Sequence, residues 1–157
     1  MRRALACYAV LLIVALPSTV AAHVTVWPQE SPAGASERYT VRVPTEGQVT
    51  TTSVEIEIPK DVTVTGILAP AGFTYDLVRE GSRIVRITWR QPIKPGEVGE
   101  FVFFARNPPA GPAAQALVWK AHQRHEDGSV DDWVGPAGDR RPAPVVRLKA
   151  PPPSASR

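Results

Sequence analysis

The sequence predicts an all-β fold, an antiparallel β-sandwich of Ig-like or cupredoxin-like type that follows a cleaved export signal. Three observations carry that prediction. Apolar and polar residues alternate with a period of two along several segments, turn signals punctuate the chain at short intervals, and 17 prolines are scattered where long helices would have to run. No heptad, internal repeat or convincing amphipathic helix interrupts the pattern.

The first 22 residues read as the signal. Arg2 and Arg3 give a positive start, ALACYAVLLIVAL a short apolar run, and Pro17 breaks it. Val20-Ala21-Ala22 then supplies the small residues that signal peptidase reads. The apolar run is shorter than the about 20 residues a bilayer span needs. Cys7 precedes the apolar core, so it does not fit a lipoprotein cysteine.

Residues 23–149 are expected to form the sandwich. In ERYTVRVP, Tyr39, Val41 and Val43 alternate with Arg38, Thr40 and Arg42. In SVEIEIP, Val54, Ile56 and Ile58 alternate with Ser53, Glu55 and Glu57. RIVRITWR sets Val85, Ile87 and Trp89 against Arg86, Thr88 and Arg90, and ALVWKAHQ sets Leu117, Trp119 and Ala121 against Val118, Lys120 and His122. Each pattern places one face on a core and the other in water. DVTVTGIL, FTYDLVR and EFVFFA are strand-like in composition, and PVVRLK is expected to be the last strand. PAGAS, PTEGQ, KPGE, NPPAGP and EDGS mark turns between them, and PAGPAAQALV has room for a single helical turn. Residues 150–157, APPPSASR, read as a disordered proline-rich tail, with no apolar segment to anchor the mature chain in a membrane.

Cleavage after Ala22 changes the balance of the chain. The remaining 135 residues fit one domain, and loss of Arg2 and Arg3 lowers the formal charge from +3 to +1. Nothing in that balance asks for nucleic acid. The cut also removes Met1 and Cys7, so the mature chain contains no sulfur. Disulfides and thiolate metal sites are excluded, and stability has to come from core burial.

His23 becomes the first residue of such a mature chain, with a free α-amine beside its imidazole. The amine and Nδ1 can bind one metal ion together and close a six-membered chelate ring. An α-amine has a pKa of about 7.7–8.0, so a metal displaces its proton with little effort near neutrality. Imidazole and amine nitrogens suit copper(II), nickel and zinc, with copper(II) bound most tightly, whereas copper(I) and blue-copper sites need sulfur. Carboxylates that could complete the site include Glu30, Glu37 and Glu46. Glu30 is ~20 Å along an extended chain from His23 unless the chain folds back. Glu37 and Glu46 flank the same strand, so only one can sit at the His23 end.

HQRHEDG offers a different temptation, since His122, His125 and Glu126 superficially suggest zinc-protease chemistry. The order is wrong for HExxH, and the residues lie on a strand entering a turn. Histidines three apart on a strand point to opposite faces. Both are expected to be solvated strand-end residues.

The ordered set AHV, AG, Y-T-x-x-V-P-x-E, TTxVxxxIP and DGS-x-x-x-W, from His23 to Trp133, resembles the YcnI-like copper-binding domain family. The resemblance implies an exported β-sandwich that binds one copper(II) through a monohistidine brace. Carried over by motif, it implies His23 as the brace, Glu46 as a further ligand and Trp133 beside the metal. An indole N–H is a donor only, so Trp133 would cover the metal rather than coordinate it. Many relatives end in a C-terminal membrane helix, and this chain ends in the proline-rich tail instead.

The resulting expectation is a periplasmic or secreted copper(II) protein, a metallochaperone or buffer that exchanges copper with a transfer protein or transporter. It is not expected to be an enzyme, for no nucleophile or general base stands out. A brace-type copper oxidase or monooxygenase would add a second imidazole, here His122 or His125. A metal-independent Ig-like interaction module is the third possibility.

Overall fold

The computed structural model describes residues 23–111 and 115–150. The expected signal at 1–22, the middle of the possible helical turn at 112–114 and the tail from 151 onward lie outside the described residues. In chain order the strands are β1 (Thr25–Trp27), β2 (Glu30–Pro32), β3 (Ser36–Pro44), β4 (Thr51–Glu57), β5 (Thr63–Ile67), β6 (Thr74–Glu80), β7 (Arg83–Arg90), β8 (Val98–Arg106), β9 (Gln115–Val118), β10 (Ala121–His125), β11 (Val130–Trp133) and β12 (Val145–Lys149). Among the described residues no helix is long and apolar enough to cross a membrane.

The alternation seen in the sequence becomes pairing. β3 buries Tyr39, Val41 and Val43 and runs antiparallel to β8, from Ser36↔Arg106 to Pro44↔Val98. β1 covers the other side of β3 and β5 the other side of β8, giving one sheet in the order β1-β3-β8-β5. The second sheet runs β11-β10-β4-β7-β6. A smaller third sheet, β2-β12-β9, has β12 parallel to β2 and antiparallel to β9.

The two larger sheets meet through aromatic rings. Trp89 of β7 stacks on Phe101 of β8 at 5.1 Å between centroids, and Tyr39, Phe103 and Trp119 pack at 5.0 to 5.5 Å from one another. Rings of this size bury about 150–250 Å² each, roughly 4–6 kcal/mol apiece at 25 cal/mol/Å². That burial replaces the disulfides the chain cannot make. At one end of the core the Tyr39 hydroxyl donates to Asn107 Oδ1 at 2.5 Å, and Asn107 Nδ2 donates to Ser31 Oγ at 2.8 Å and to the Pro32 carbonyl at 2.9 Å. Burial pushes the Tyr39 phenol up to about 12, against the pull of its hydrogen bonds to Ser31 and Asn107.

Two expectations are corrected. ALVWKAHQ is not one strand. The chain leaves the third sheet after Val118, is held by Trp119 N–H to the Pro144 carbonyl at 2.8 Å, and enters the second sheet at Ala121. The inward alternation continues through this switch, because Leu117, Trp119, Ala121, Gln123 and His125 are all buried. The extended stretch expected from His23 to Glu30 is two short strands, β1 and β2, in different sheets, and β11, at four residues, was too short to show a period.

Candidate functional site

β1 forms one edge of the first large sheet and β11 one edge of the second. His23 lies just before β1, which runs antiparallel to β3 with Thr25 opposite Arg42 and Trp27 opposite Thr40. The same register carries His23 toward Pro44, the end of β3 from which Glu46 follows. Glu37 is at the other end of β3, where it accepts a hydrogen bond from Ser31 Oγ at 2.7 Å. Glu30 is on β2, paired with Lys149 at 2.5 Å, and that ammonium holds its carboxyl below the usual carboxylate range. Of the three rival carboxylates, Glu46 is the one at the His23 end.

Trp133, the last residue of β11, faces inward and is 5 % exposed. His23 meets it edge to face, with ring centroids 5.8 Å apart and planes at 64°. Trp133 differs from the core indoles in one respect. The N–H groups of Trp89 and Trp119 are buried without a partner among the described residues, whereas Trp133 Nε1 donates to Gln123 Oε1 at 3.3 Å. A small pocket of about 50 Å³ is lined by Pro44, Glu46, Gln123, Asp131, Trp133, Arg140 and Arg141. A water occupies about 30 Å³ of liquid and small-molecule pockets run to 300–1,000 Å³. The space is small beside such pockets and is large enough for an ion with water.

Charge at the pocket is locally balanced. Asp131 forms an ion pair with Arg141 and accepts from His125 Nε2 at 3.3 Å. The loop carrying Arg140 and Arg141 is closed by hydrogen bonds from Gly135 N–H to the Arg141 carbonyl at 3.1 Å and from Ala143 N–H to the Gly135 carbonyl at 2.9 Å.

The histidines of β10 are not the solvated pair expected. They do point to opposite faces, but His125 is 9 % exposed on the inner face, where the register with β4 shifts after Arg124 so that His125 pairs with Thr51. His122 is half-buried on the outer face, between Asp132 Oδ1 at 2.6 Å and Glu57 Oε1 at 3.3 Å. The reason is cross-strand company: each imidazole has carboxylates as neighbours, which a reading of one strand at a time cannot see. None of the three histidines lines the pocket itself: His23 touches its Trp133 and His125 its Asp131.

A metal could draw on one imidazole, His23, and one carboxylate, Glu46, at this end of the sandwich. Among the described residues no group of three or more His, Cys, Asp or Glu side chains gathers in a metal-holding arrangement. This donor set fits a metal whose third donor comes from the backbone, and the nitrogen of His23 is that donor only when no residue precedes it. Sequence reasoning missed Gln123 and Asp131. A buried polar residue at the next inward step after Ala121 was the available signal for Gln123.

Comparison with known proteins agrees with this architecture. Residues 23–148 match the family described as a domain of unknown function (DUF1775). The copper-binding protein CutI of Bacillus subtilis (strain 168) is 33% identical over 130 residues, covering 81% of this chain. The chain spans 62% of the length of CutI. An uncharacterized protein from Nocardia farcinica with an immunoglobulin-like fold superposes with a TM-score of 0.67 at 29% identity, covering 80% of this chain and 97% of that one. A non-cellulosomal cohesin from Archaeoglobus fulgidus shares the fold alone, with a TM-score of 0.51 at 14% identity over 82% of this chain and 91% of the cohesin.

Proposed function

Because the chain belongs to the DUF1775 family, the YcnI-like family its motifs resemble, we propose that it is an exported copper(II)-binding protein that carries or buffers the ion. The observation that carries this reading is the edge-to-face contact of His23 with Trp133, which in turn lines a pocket together with Glu46. In the processed chain His23 supplies its α-amine and imidazole, and Glu46 supplies an oxygen that offsets part of the ion's charge. Trp133 covers one side, limits water and holds the imidazole in place. The relative CutI is named for copper binding, which supports copper as the ion. Copper(II) is favoured over copper(I) because residues 23–157 contain neither cysteine nor methionine.

A carrier is the better reading than an oxygen-activating enzyme. Each candidate for the second imidazole that such chemistry adds already has carboxylate company: His122 is on the outer face between two carboxylates, and His125 is engaged by Asp131. The exchange partner would be a copper-transfer protein or transporter.

The test is copper titration of protein that begins at His23, in competition with chelators of known affinity for each oxidation state. One copper(II) should bind tightly, with a spectrum showing a single imidazole, and copper(I) should bind poorly. Glu46→Gln keeps the shape, removes the charge and should weaken copper(II) binding about tenfold or more, the scale of lost partners around a metal. Equal or tighter copper(I) binding would overturn the proposal.

A further inference from the structure

We infer that Gln123 is the positioning residue of this centre: one buried amide joins Trp133 to both stems of the loop that presents Glu46. The inference rests on the copper reading above and adds a residue to it.

Gln123 is 2 % exposed, among the most buried side chains of the molecule, on the inner face of β10. Its Nε2 donates to the Pro44 carbonyl at 3.0 Å and to Thr51 Oγ1 at 2.7 Å. Its Oε1 accepts from Trp133 Nε1 at 3.3 Å. The orientation of the amide follows from its partners. An indole N–H can only donate and a backbone carbonyl can only accept, so the oxygen has to face Trp133 and the nitrogen Pro44.

These contacts fall at instructive places. Pro44 ends β3 and Thr51 begins β4, so the two bracket the 45–50 loop that carries Glu46. The stems are further tied by Thr45 Oγ1 and Thr51 Oγ1 at 2.9 Å and by Thr51 N–H to the Ile93 carbonyl at 2.9 Å. Gln123 fixes where this loop starts and ends relative to the indole against which His23 packs. An apolar side chain of similar size could fill the same space, but it would set neither distance. Buried amide groups cost free energy unless bonded, and this one satisfies both of its donor hydrogens and an acceptor position.

The test uses protein processed to begin at His23 and its Gln123→Met, Thr51→Val and Thr45→Val variants. Readouts are circular dichroism melting, copper(II) affinity by chelator competition and the copper(II) electron paramagnetic resonance spectrum. Gln123→Met removes all three bonds with little change of length and should weaken binding about 10–100-fold, as lost outer partners of metal ligands do. It should also change the resonance spectrum, which a loss confined to fold stability would leave alone. Thr51→Val removes one of the three Gln123 bonds together with the Thr45–Thr51 bond and should change the spectrum in the same direction by less. Thr45→Val, which removes only the latter bond, should change it less still. If Gln123→Met does not fold, Thr51→Val decides. Unchanged affinity and spectrum in the folded variants overturn the role of Gln123 while the copper site stands. Absence of copper binding by the processed parent overturns both.

Discussion

Retaining a single residue before His23 is the most informative perturbation of this protein. Two forms are compared, one beginning at His23 and one beginning at Ala22. The structure predicts that their folds are indistinguishable. His23 is itself exposed, Val24 is the first buried residue among those described, at 2 % exposed, and strand pairing starts at Thr25 with Arg42, so the core and the sheet pairing begin after the site of the change. Substitutions at such exposed positions change stability by about 0.5 kcal/mol or less. Copper should respond on another scale. The extra residue turns the α-amine into an amide, which is not basic at neutral pH, and the six-membered chelate ring is lost. Outer partners of metal ligands are worth about 10–100-fold in affinity. Loss of a donor atom and its ring should exceed that, at ~1,000-fold or more, about 4 kcal/mol at 1.4 kcal/mol per decade. The pH dependence provides a second signature. A free amine with a pKa of about 7.7–8.0 holds a proton below that range, so the metal competes with it and affinity falls about tenfold per unit as pH drops. Above pH 8 that contribution levels off, and the extended form lacks it entirely. The assay pairs thermal melts with copper(II) competition at pH 7 and pH 8. Matching melts with matching affinities would show that His23 acts as an ordinary histidine, and the brace would have to be abandoned.

Trp133→Phe should keep most copper affinity while shifting the copper(II) spectrum or reduction potential, because phenylalanine retains the edge-to-face contact but not the bond to Gln123. An unchanged spectrum would remove Trp133 from the centre. In the alkaline range, the phenol of Tyr39 should resist ionisation until about pH 12, since burial raises it above the ordinary value near 10. A raised folded value means that its contribution to stability is complete below pH 10 and is lost as pH climbs toward 12. Ultraviolet titration of the native protein against Tyr39→Phe checks this, and loss of the same phenolate signal near pH 10 would contradict it.

What the sequence disclosed followed the length of its patterns. Tyr39, Val41 and Val43, or Val54 and Ile56, sit in runs long enough for a period of two to appear, and their inner faces are as expected. β1, β2 and β11 carry three or four residues, and pairing rather than local pattern makes them strands. The position of Glu46 relative to Glu37 was legible as an either-or, and the register of β1 on β3 resolves it. His125 was misjudged because its burial depends on Asp131, six residues away across a turn. Gln123 stayed invisible for a related reason: its partners Pro44, Thr51 and Trp133 come from three separate segments.

The parallel pairing of β12 with β2 sets the order of assembly. Residues 30–32 wait for residues 147–149, so the third sheet cannot close until nearly the whole described chain has been synthesised. Distant pairings of this kind carry their entropic cost before any contact rewards it, which places such sandwiches among domains that fold in milliseconds to seconds. The loop with Arg140 and Arg141 immediately precedes β12, and Arg141 is the partner of Asp131 at the pocket wall. The pocket wall is therefore among the last parts of the described chain to be made, and a chain halted before Arg140 would carry His23, Glu46 and Trp133 without the arginine that pairs with Asp131 beside them.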